Sequence, residues 1–500
     1  MAQTRFHITT AIDYANGLPH LGHAFEKIEA DCVARYRRLI GDRVHFVTGL
    51  DEHGQTVAQY ALNAGIPPQA WVDEIANEYR DVLRTLSVSC DDFIRTTEPR
   101  HARAVREVLR RIEQRRPDDI YEATCTGWYC RGCEAFKLPN DLFEGRCPEH
   151  PTLDPEWVEE RSRFFRLSAY TERLRDHYDT HADFVVPGAT FDQMRSLVVS
   201  GLRDCPISRN QPWGLLFPGA PGYTIHVWFD ALVSYLSGTG FPDQRYEQLW
   251  PADVQIVGPD ITHYHGVLWP AMLMAAGLEP PRRIWTHGWL RMDGARFAKT
   301  ARVRVPLSEA VTRHGVDALR YFLLLTMPWE GNGDFSWGRF DSVYATDLAN
   351  LGKLTSRAVS LTICGAEGRV PHAGTDGELD QSHRTVVAEY REAMSALHVR
   401  EGALTIVRLV DLANRYADRW LPSTRSTAPR TTLRDDKLAE LHRAVVRIAV
   451  LAQPFMPSTA EELYRTIGGR GSIADLRWHE LAHPSTGGWE VVSGQRALLQ

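Results

Sequence analysis

Apolar positions in the first hundred residues follow two alternating periods. Residues 5–12, RFHITTAI, are rich in β-branched and aromatic side chains and predict a strand. A Gly/Pro/Asn loop follows in YANGLPHLGH. Phe25, Ile28, Cys32, Tyr36 and Leu39 then recur at helical spacing until Gly41 ends the run. Residues 44–47 predict the next strand, which runs into the acidic turn GLDEHG, and helical patterns follow over 69–87 and 98–114. Strand–helix–strand–helix is the pattern of a parallel sheet with helices on its faces.

Residues 116–215 break that rhythm with a cysteine cluster and several Pro/Gly-rich stretches. The sheet pattern resumes at YTIHVWFDA (223–231) and VQIVGPD (254–260). RIWTHGWLRMDGARF (283–297) predicts a strand running into a hairpin at Asp293-Gly294. From about residue 307 the pattern is almost wholly helical, with Leu438, Leu441, Val445, Ile448 and Leu451 forming one apolar stripe. The expected fold class is α/β. Residues 1–115 and 216–290 are the halves of a Rossmann-like doubly wound parallel sheet, and 116–215 is a connective insertion. Residues 291–340 carry a basic loop, and 341–500 form an all-α helical bundle.

Five hundred residues require several domains. Hydrophobic content of 43% and charged content of 24% fit a soluble enzyme rather than a disordered or membrane chain. No apolar run reaches transmembrane length and no leader pattern opens the sequence, so a cytoplasmic location and no membrane partner are expected. The net charge of −6 leaves room for nucleic acid on a local basic face without arguing for it.

The cysteines add chemistry. Cys130-x-x-Cys133 followed by Cys147-x-x-His150 has the form of a tetrahedral zinc site. Four protein ligands leave no open position, so the zinc is expected to be structural, stapling an insertion too small for its own core. Cys125 is a competing ligand, and four reduced, unliganded side chains are the plainer alternative.

Two segments could handle phosphate. His20-Leu21-Gly22-His23 sits between the first strand and the first helix, where unpaired N–H groups meet ligands. Gly22 permits close backbone approach, and two imidazoles can donate hydrogen bonds to charge developing on an α-phosphate. A turn with two surface histidines is the plainer reading. Arg296, Lys299, Arg302 and Arg304 form a basic run suited to pyrophosphate, or a solvated basic loop.

HLGH after a first strand, with a lysine loop far downstream, resembles the paired signature of class I aminoacyl-tRNA synthetases. PHLGHA, TGLDEHG, DDFIRTTEPRH, RFFRLSAY, ISRNQPWG, VWFDALVSY, LWPAML and HGVDALRYFLL narrow the resemblance to the methionyl-tRNA synthetase family, in order over residues 4 to about 360. The resemblance implies ATP and Mg2+, with His20, His23, Lys299 and Arg296 catalytic and Asn16, Gly22, Gly258 and Asp260 at the nucleotide. It implies that Asp51 holds the α-amino group. Ile12, Tyr14, Trp228, Ala231, Leu232, Tyr235, Ile261 and His265 would line a methionine pocket, where aromatics suit a thioether. The family's connective insertion carries a zinc knuckle, and residues 291–340 and 341–500 correspond to its KMSKS loop with stem-contact region and its anticodon-binding domain.

Several positions depart from the family. Asp13 replaces an apolar or aromatic residue, and Pro259 replaces a lysine between Gly258 and Asp260. In the KMSKS loop only the second lysine, Lys299, is intact; Arg296 keeps charge but not geometry. At the anticodon-reading pattern N-L-x-x-R the asparagine has become Lys353 while Arg357 remains, and the expected tryptophan falls on Ser423, three residues after Trp420. Loss of a stacking tryptophan removes about 1–3 kcal/mol per base. Two functions are therefore expected. One is a methionine–tRNA ligase that makes an aminoacyl adenylate and transfers the acyl group to tRNA. The other is a paralogue passing it to a non-tRNA acceptor, such as an amine, hydroxylamine or carrier, with a separate cupin-type partner as one arrangement. A non-enzymatic relic is opposed by His20, His23, Asp51 and Lys299 together.

Overall fold

A computed structural model describes residues 4–292, 295–296, 306–372, 377–421, 432–481 and 484–492. The sequence-identified residues Lys299, Arg302, Arg304 and Ser423, and the Asp293-Gly294 dipeptide, lie outside them.

The central sheet is parallel throughout. Its strands run Asp92–Arg95, Arg43–Asp51, Arg5–Thr10, Val254–Val257, Ile284–Thr286, Val185–Val186. Ile8, Phe46, Ile256 and Ile284 are wholly buried, as expected of strands covered on both faces. The chain builds first to one side of Arg5–Thr10 and later to the other. The topological switch point therefore falls between Arg5–Thr10 and Val254–Val257, where open parallel sheets bind ligands.

The predicted 5–12 strand is interrupted. Thr9 pairs with Val47 and Asp13 with Leu50, so four steps on one strand oppose three on the other. This extra residue at Ala11–Ile12 is a bulge that re-aims Asp13 and Tyr14. The helix Leu21–Leu39 then crosses to Arg43–Asp51 and buries Glu26, Lys27, Glu29 and Asp31 along with its apolar face.

Ile120–Cys130, Ala135–Lys137, Glu156–Phe165 and Cys205–Pro206 form a four-stranded antiparallel sheet. Between its last two strands, Val185–Val186 returns to the edge of the parallel sheet. The segment 223–231 does not resume that sheet. Only Thr224–Ile225 is extended, paired with Ser208–Arg209, and Val227–Leu232 is helical. His226 Nδ1 accepts from Trp228 N at 3.3 Å and caps this short helix. So short an apolar-rich run fits either period, and the pattern alone could not decide.

Leu290–Met292 pairs antiparallel with Ala295–Arg296, bracketing the predicted turn, and parallel with Gly333–Phe335. Beyond residue 307 the described chain is mainly helical, including Val316–Thr326, Ala349–Ala366, Glu378–Ser395, Val399–Trp420 and Thr432–Ala452. All five stripe residues of the last of these helices are buried. One apolar core runs from Ile28 and Tyr36 through Leu319 and Phe322 to Leu441 and Leu451, seating the bundle on the first crossover helix. At that junction the Arg320 guanidinium, fully buried, donates to Asp31 at 2.7 Å and to the carbonyls of Leu86, Pro454 and Phe455.

Candidate active site at the crossover of the parallel sheet

His20 is the N-cap of the helix Leu21–Leu39. Its Nδ1 accepts from Gly22 N at 3.1 Å, and His23 Nδ1 accepts from His20 N at 3.1 Å. The two imidazoles thus form a reciprocal capping box and stack with centroids 3.7 Å apart. A nitrogen that accepts an amide proton cannot carry its own, so both rings hold their proton on Nε2. Two N–H donors are fixed in tautomer at the positive end of a helix, beside the switch point. A Cβ on Gly22 would sit 3.0 Å from the His20 ring, which is the local reason for glycine there.

Beneath them, Lys27 Nζ is buried among Asp13 Oδ2 at 3.1 Å, Glu26 Oε1 at 2.8 Å and the Ala11 carbonyl at 2.9 Å. Asp13 is buried and ion-paired rather than facing solvent. Its Oδ1 lies 4.0 Å from His23 Nε2.

Asp51 ends its strand opposite Tyr14, which places it beside the loop leading to His20. It is buried, and its Oδ1 has no hydrogen-bond partner among the described residues. Burial, reinforced by the Asp230 carboxylate, pushes the Asp51 carboxyl well above its usual range. Asp230 is ionised in the same wall. Burial opposes its charge, yet His53 (2.6 Å) and His101 (3.0 Å) hold it at about 2. The site can therefore accommodate a cation at Asp51.

Tyr14 and Tyr235 lie within electrostatic range of that carboxylate. Trp228 stacks on Tyr264 at 3.9 Å and donates its indole N–H to the Cys133 carbonyl at 2.9 Å. His265 sits on the π-helical turn Tyr264–Leu268 and contacts the Ile261 carbonyl through Nδ1 at 2.9 Å. Nδ1 must donate there, so Nε2 accepts from the Tyr235 hydroxyl at 2.6 Å. Burial pushes His265 down to about 4, keeping it neutral. Ala231 and Leu232 are buried beside Tyr235, while Ile12 and Ile261 are half-buried. Gly258 and Asp260 follow the strand Val254–Val257 across the switch point, with Asp260 Oδ1 where a Cβ on Gly258 would meet it at 2.9 Å. Asn16 N donates to the Tyr14 carbonyl at 2.7 Å within the loop. Arg296 is in the hairpin strand Ala295–Arg296.

In the insertion, the ligand atoms of Cys130, Cys133, Cys147 and His150 all lie within 4.8 Å of one another. Three thiols and an imidazole in one cluster are a donor set that fits a tetrahedral metal. Cys125 is not part of this group. Several residues at the site carried no prior expectation. Asp230, His53 and His101 come from three separate motifs, VWFDALVSY, TGLDEHG and DDFIRTTEPRH, and nothing local in the sequence joins them. Glu134 follows the knuckle cysteine directly and accepts from both Tyr14 and Tyr129.

In the helical part, Lys353 is exposed, whereas Arg357 is bonded to Asp418 at 2.5 Å and to the Leu421 carbonyl at 3.2 Å. Trp420 is partly buried, with Arg419 and Lys437 each 4.8 Å from its ring. No described helix is long and apolar enough to cross a membrane.

A parallel sheet with a His-x-Gly-His helix start at its switch point, followed by a helical bundle, is the architecture of a class I aminoacyl-tRNA synthetase. The family profile described as tRNA synthetases class I (M) matches residues 6–154 and 150–359, and that for the anticodon-binding domain of tRNA ligase matches 376–493. The chain belongs to the methionyl-tRNA synthetase family of ATP-dependent, adenylate-forming ligases. A methionine–tRNA ligase of Caldanaerobacter subterraneus is 36% identical over 93% of this chain and 74% of its own length. One from Thermosynechococcus vestitus is 37% identical over 94% and 92%. The Mycobacterium tuberculosis methionyl-tRNA synthetase bound by methionyl-adenylate superposes with a TM-score of 0.93, at 33% identity over 99% of this chain and 100% of that one.

Proposed function

We propose that this protein activates methionine with ATP, forming methionyl-AMP and pyrophosphate, and transfers the methionyl group to the terminal ribose hydroxyl of tRNA. The observation that carries the reading is a buried Asp51 oxygen with no hydrogen-bond partner among the described residues, at the strand end next to the loop that leads to two imidazoles locked as Nε2–H donors. Asp51 takes the substrate ammonium, and the α-carboxylate then faces the nucleotide. Attack of a carboxylate oxygen on the α-phosphorus forms the mixed anhydride as the α–β bond breaks and pyrophosphate leaves. His20 and His23 donate to the charge that develops on the phosphate oxygens. Gly22, Asn16, Gly258 and Asp260 border the nucleotide, and Lys299 with Arg296 offsets the negative charge of the leaving pyrophosphate, as Mg2+ bound to the phosphates would also do. Trp228, Tyr14, Tyr235, His265, Ile12, Ile261, Ala231 and Leu232 enclose the thioether.

The anticodon-binding match over 376–493 supports tRNA, rather than a small amine or carrier, as acceptor. Cys130, Cys133, Cys147 and His150 would hold zinc as a structural ion. The test is pyrophosphate exchange across all amino acids, then acylation of methionine tRNA. Exchange with methionine and charging of its tRNA are expected. Exchange without charging would move the acceptor to a small molecule, and no exchange with any amino acid would sink the reading. Cys130→Ser should release zinc and lower the melting temperature; unchanged zinc content would reject that ligand set.

A further inference from the structure

The segment that carries the first two knuckle cysteines also contacts Trp228 and Tyr14 of the amino-acid pocket and the start of the helix Gln55–Ala64. The Cys133 carbonyl accepts from the Trp228 indole at 2.9 Å, and the Arg131 carbonyl accepts from Thr56 Oγ1 at 3.0 Å. Glu134 makes the remaining contacts. Its Oε1 accepts from the Tyr14 hydroxyl at 2.9 Å and from Thr56 N at 3.0 Å, and its Oε2 accepts from the Tyr129 hydroxyl at 2.7 Å.

Three features set this carboxylate apart from an ordinary structural one. It is buried, and the hydrogen bonds its oxygens accept among the described residues come from neutral donors, two tyrosine hydroxyls and a backbone amide. A buried charge met by neutral donors is a costly choice for stability alone. Its backbone holds φ at +49°, a left-handed conformation uncommon for glutamate. It also supplies, from a distant segment, the cap that the helix Gln55–Ala64 lacks: the N-cap is Gly54, which has no side chain to receive the N–H of Thr56. Gly54 itself has φ +105°, and a Cβ there would lie 2.4 Å from the Tyr14 hydroxyl. The packing around the Tyr14–Glu134 contact admits no side chain at that position.

We propose that Glu134 is a positioning residue for amino-acid binding. Its carboxylate fixes Tyr14, Tyr129 and the start of the helix Gln55–Ala64, and so holds the pocket in the shape that Tyr14 and the Cys133-anchored Trp228 offer the substrate side chain. The inference rests on the pocket assignment made above. Ligation of Cys130 and Cys133 by a metal would stiffen the turn that carries Arg131, Cys133 and Glu134, and a knuckle fold would thereby act on substrate affinity.

The test uses Glu134→Ala and Glu134→Gln in the full chain. Zinc content, melting temperature, calorimetric affinity for methionine without ATP, and the Michaelis constants for methionine and ATP in pyrophosphate exchange are measured. Glu134→Ala should weaken methionine affinity about tenfold, the scale of losing hydrogen bonds to a charged group. The ATP constant and the zinc content should stay near those of the unaltered chain. Glu134→Gln keeps the shape and one acceptor oxygen, so it should recover part of the loss. Unchanged methionine affinity in Glu134→Ala, or equal weakening for methionine and ATP, would overturn the proposal. If Glu134→Ala loses zinc or fails to fold, Glu134→Gln decides: methionine affinity equal to the unaltered chain overturns it, and selective weakening supports it. Failure of the unaltered chain to bind or activate methionine would instead remove the functional reading on which the pocket assignment stands.

Discussion

Asp31 and Asp51 are both buried aspartates of the catalytic half, and their surroundings differ in kind. Asp31 is saturated: Oδ1 accepts from Ser89 N and Oγ, and Oδ2 accepts from Arg35 and Arg320, each at 2.7 Å. Burial alone would raise its pKa, but the two guanidiniums outweigh it and hold the carboxyl below its ordinary value. Asp51 keeps an oxygen with no partner among the described residues, and burial together with the nearby Asp230 charge pushes it well above that range. A carboxylate finished by its own protein holds structure together. One left unfinished in a cleft is arranged for something that arrives later.

The largest expected effect lies on the saturated side. Arg320→Met leaves Asp31 with less compensation and should cost about 3–5 kcal/mol in denaturant unfolding, the scale for breaking a buried pair. A loss under about 1 kcal/mol would remove the contrast, since double-mutant measurements of exposed pairs reach that little. On the unfinished side, His23→Ala removes one locked donor. Pyrophosphate exchange should fall about a hundredfold in kcat with the melting temperature nearly unchanged. Comparable losses of stability and rate in both variants would mean that the two regions are not functionally distinct.

The two regions also differ in how far the sequence revealed them. His20 to His23 and the Cys-x-x-Cys knuckle are contiguous runs whose chemistry depends on local spacing, and the expected residues come together. The parallel sheet and the helical bundle were legible for the same reason, through local strand and helix patterns, although the order of the strands was not. Asp31 and Arg320 stand 289 residues apart, and each reads alone as a charged residue on an amphipathic helix. The Asp230–His53–His101 group and the return of Val185–Val186 to the parallel sheet are likewise long-range events with no local signature. The segment 223–231 was misread because a short apolar run satisfies both periods until His226 caps a helix. Asp13 read from sequence only as a charge where the family has an apolar or aromatic residue, and the ion pair with Lys27 on the following helix shows how it is accommodated in burial.

Asp51→Asn sharpens the contrast in a different way. It removes the carboxylate that a bound ammonium would pair with, so methionine affinity should fall about tenfold or more while stability at neutral pH holds or rises. The sign follows from linkage. Asp31 has a depressed folded pKa, so its stabilisation is present above the unfolded value of about 3.9 and is lost as pH falls through the folded one. Asp51 has a raised folded pKa, so its contribution is present below the unfolded value and is lost as pH rises through the folded one. Asp51→Asn should therefore abolish a decline on the alkaline side of that window, and leave the acid-side loss that Asp31 contributes.

The smallest effect follows from the same raised carboxyl. Below its folded pKa, Asp51 is protonated in the free protein. A substrate ammonium brought to hydrogen-bond distance favours the carboxylate, so its proton must leave as methionine binds. Binding should release up to about one proton and tighten as pH rises toward that pKa. Calorimetry in two buffers of different ionisation enthalpy reads the release directly. Asp51→Asn should bind with no such buffer dependence, because an amide has no proton to give. An equal release from Asp51→Asn would place the titrating group elsewhere in the wall, and the ammonium would then belong to another carboxylate.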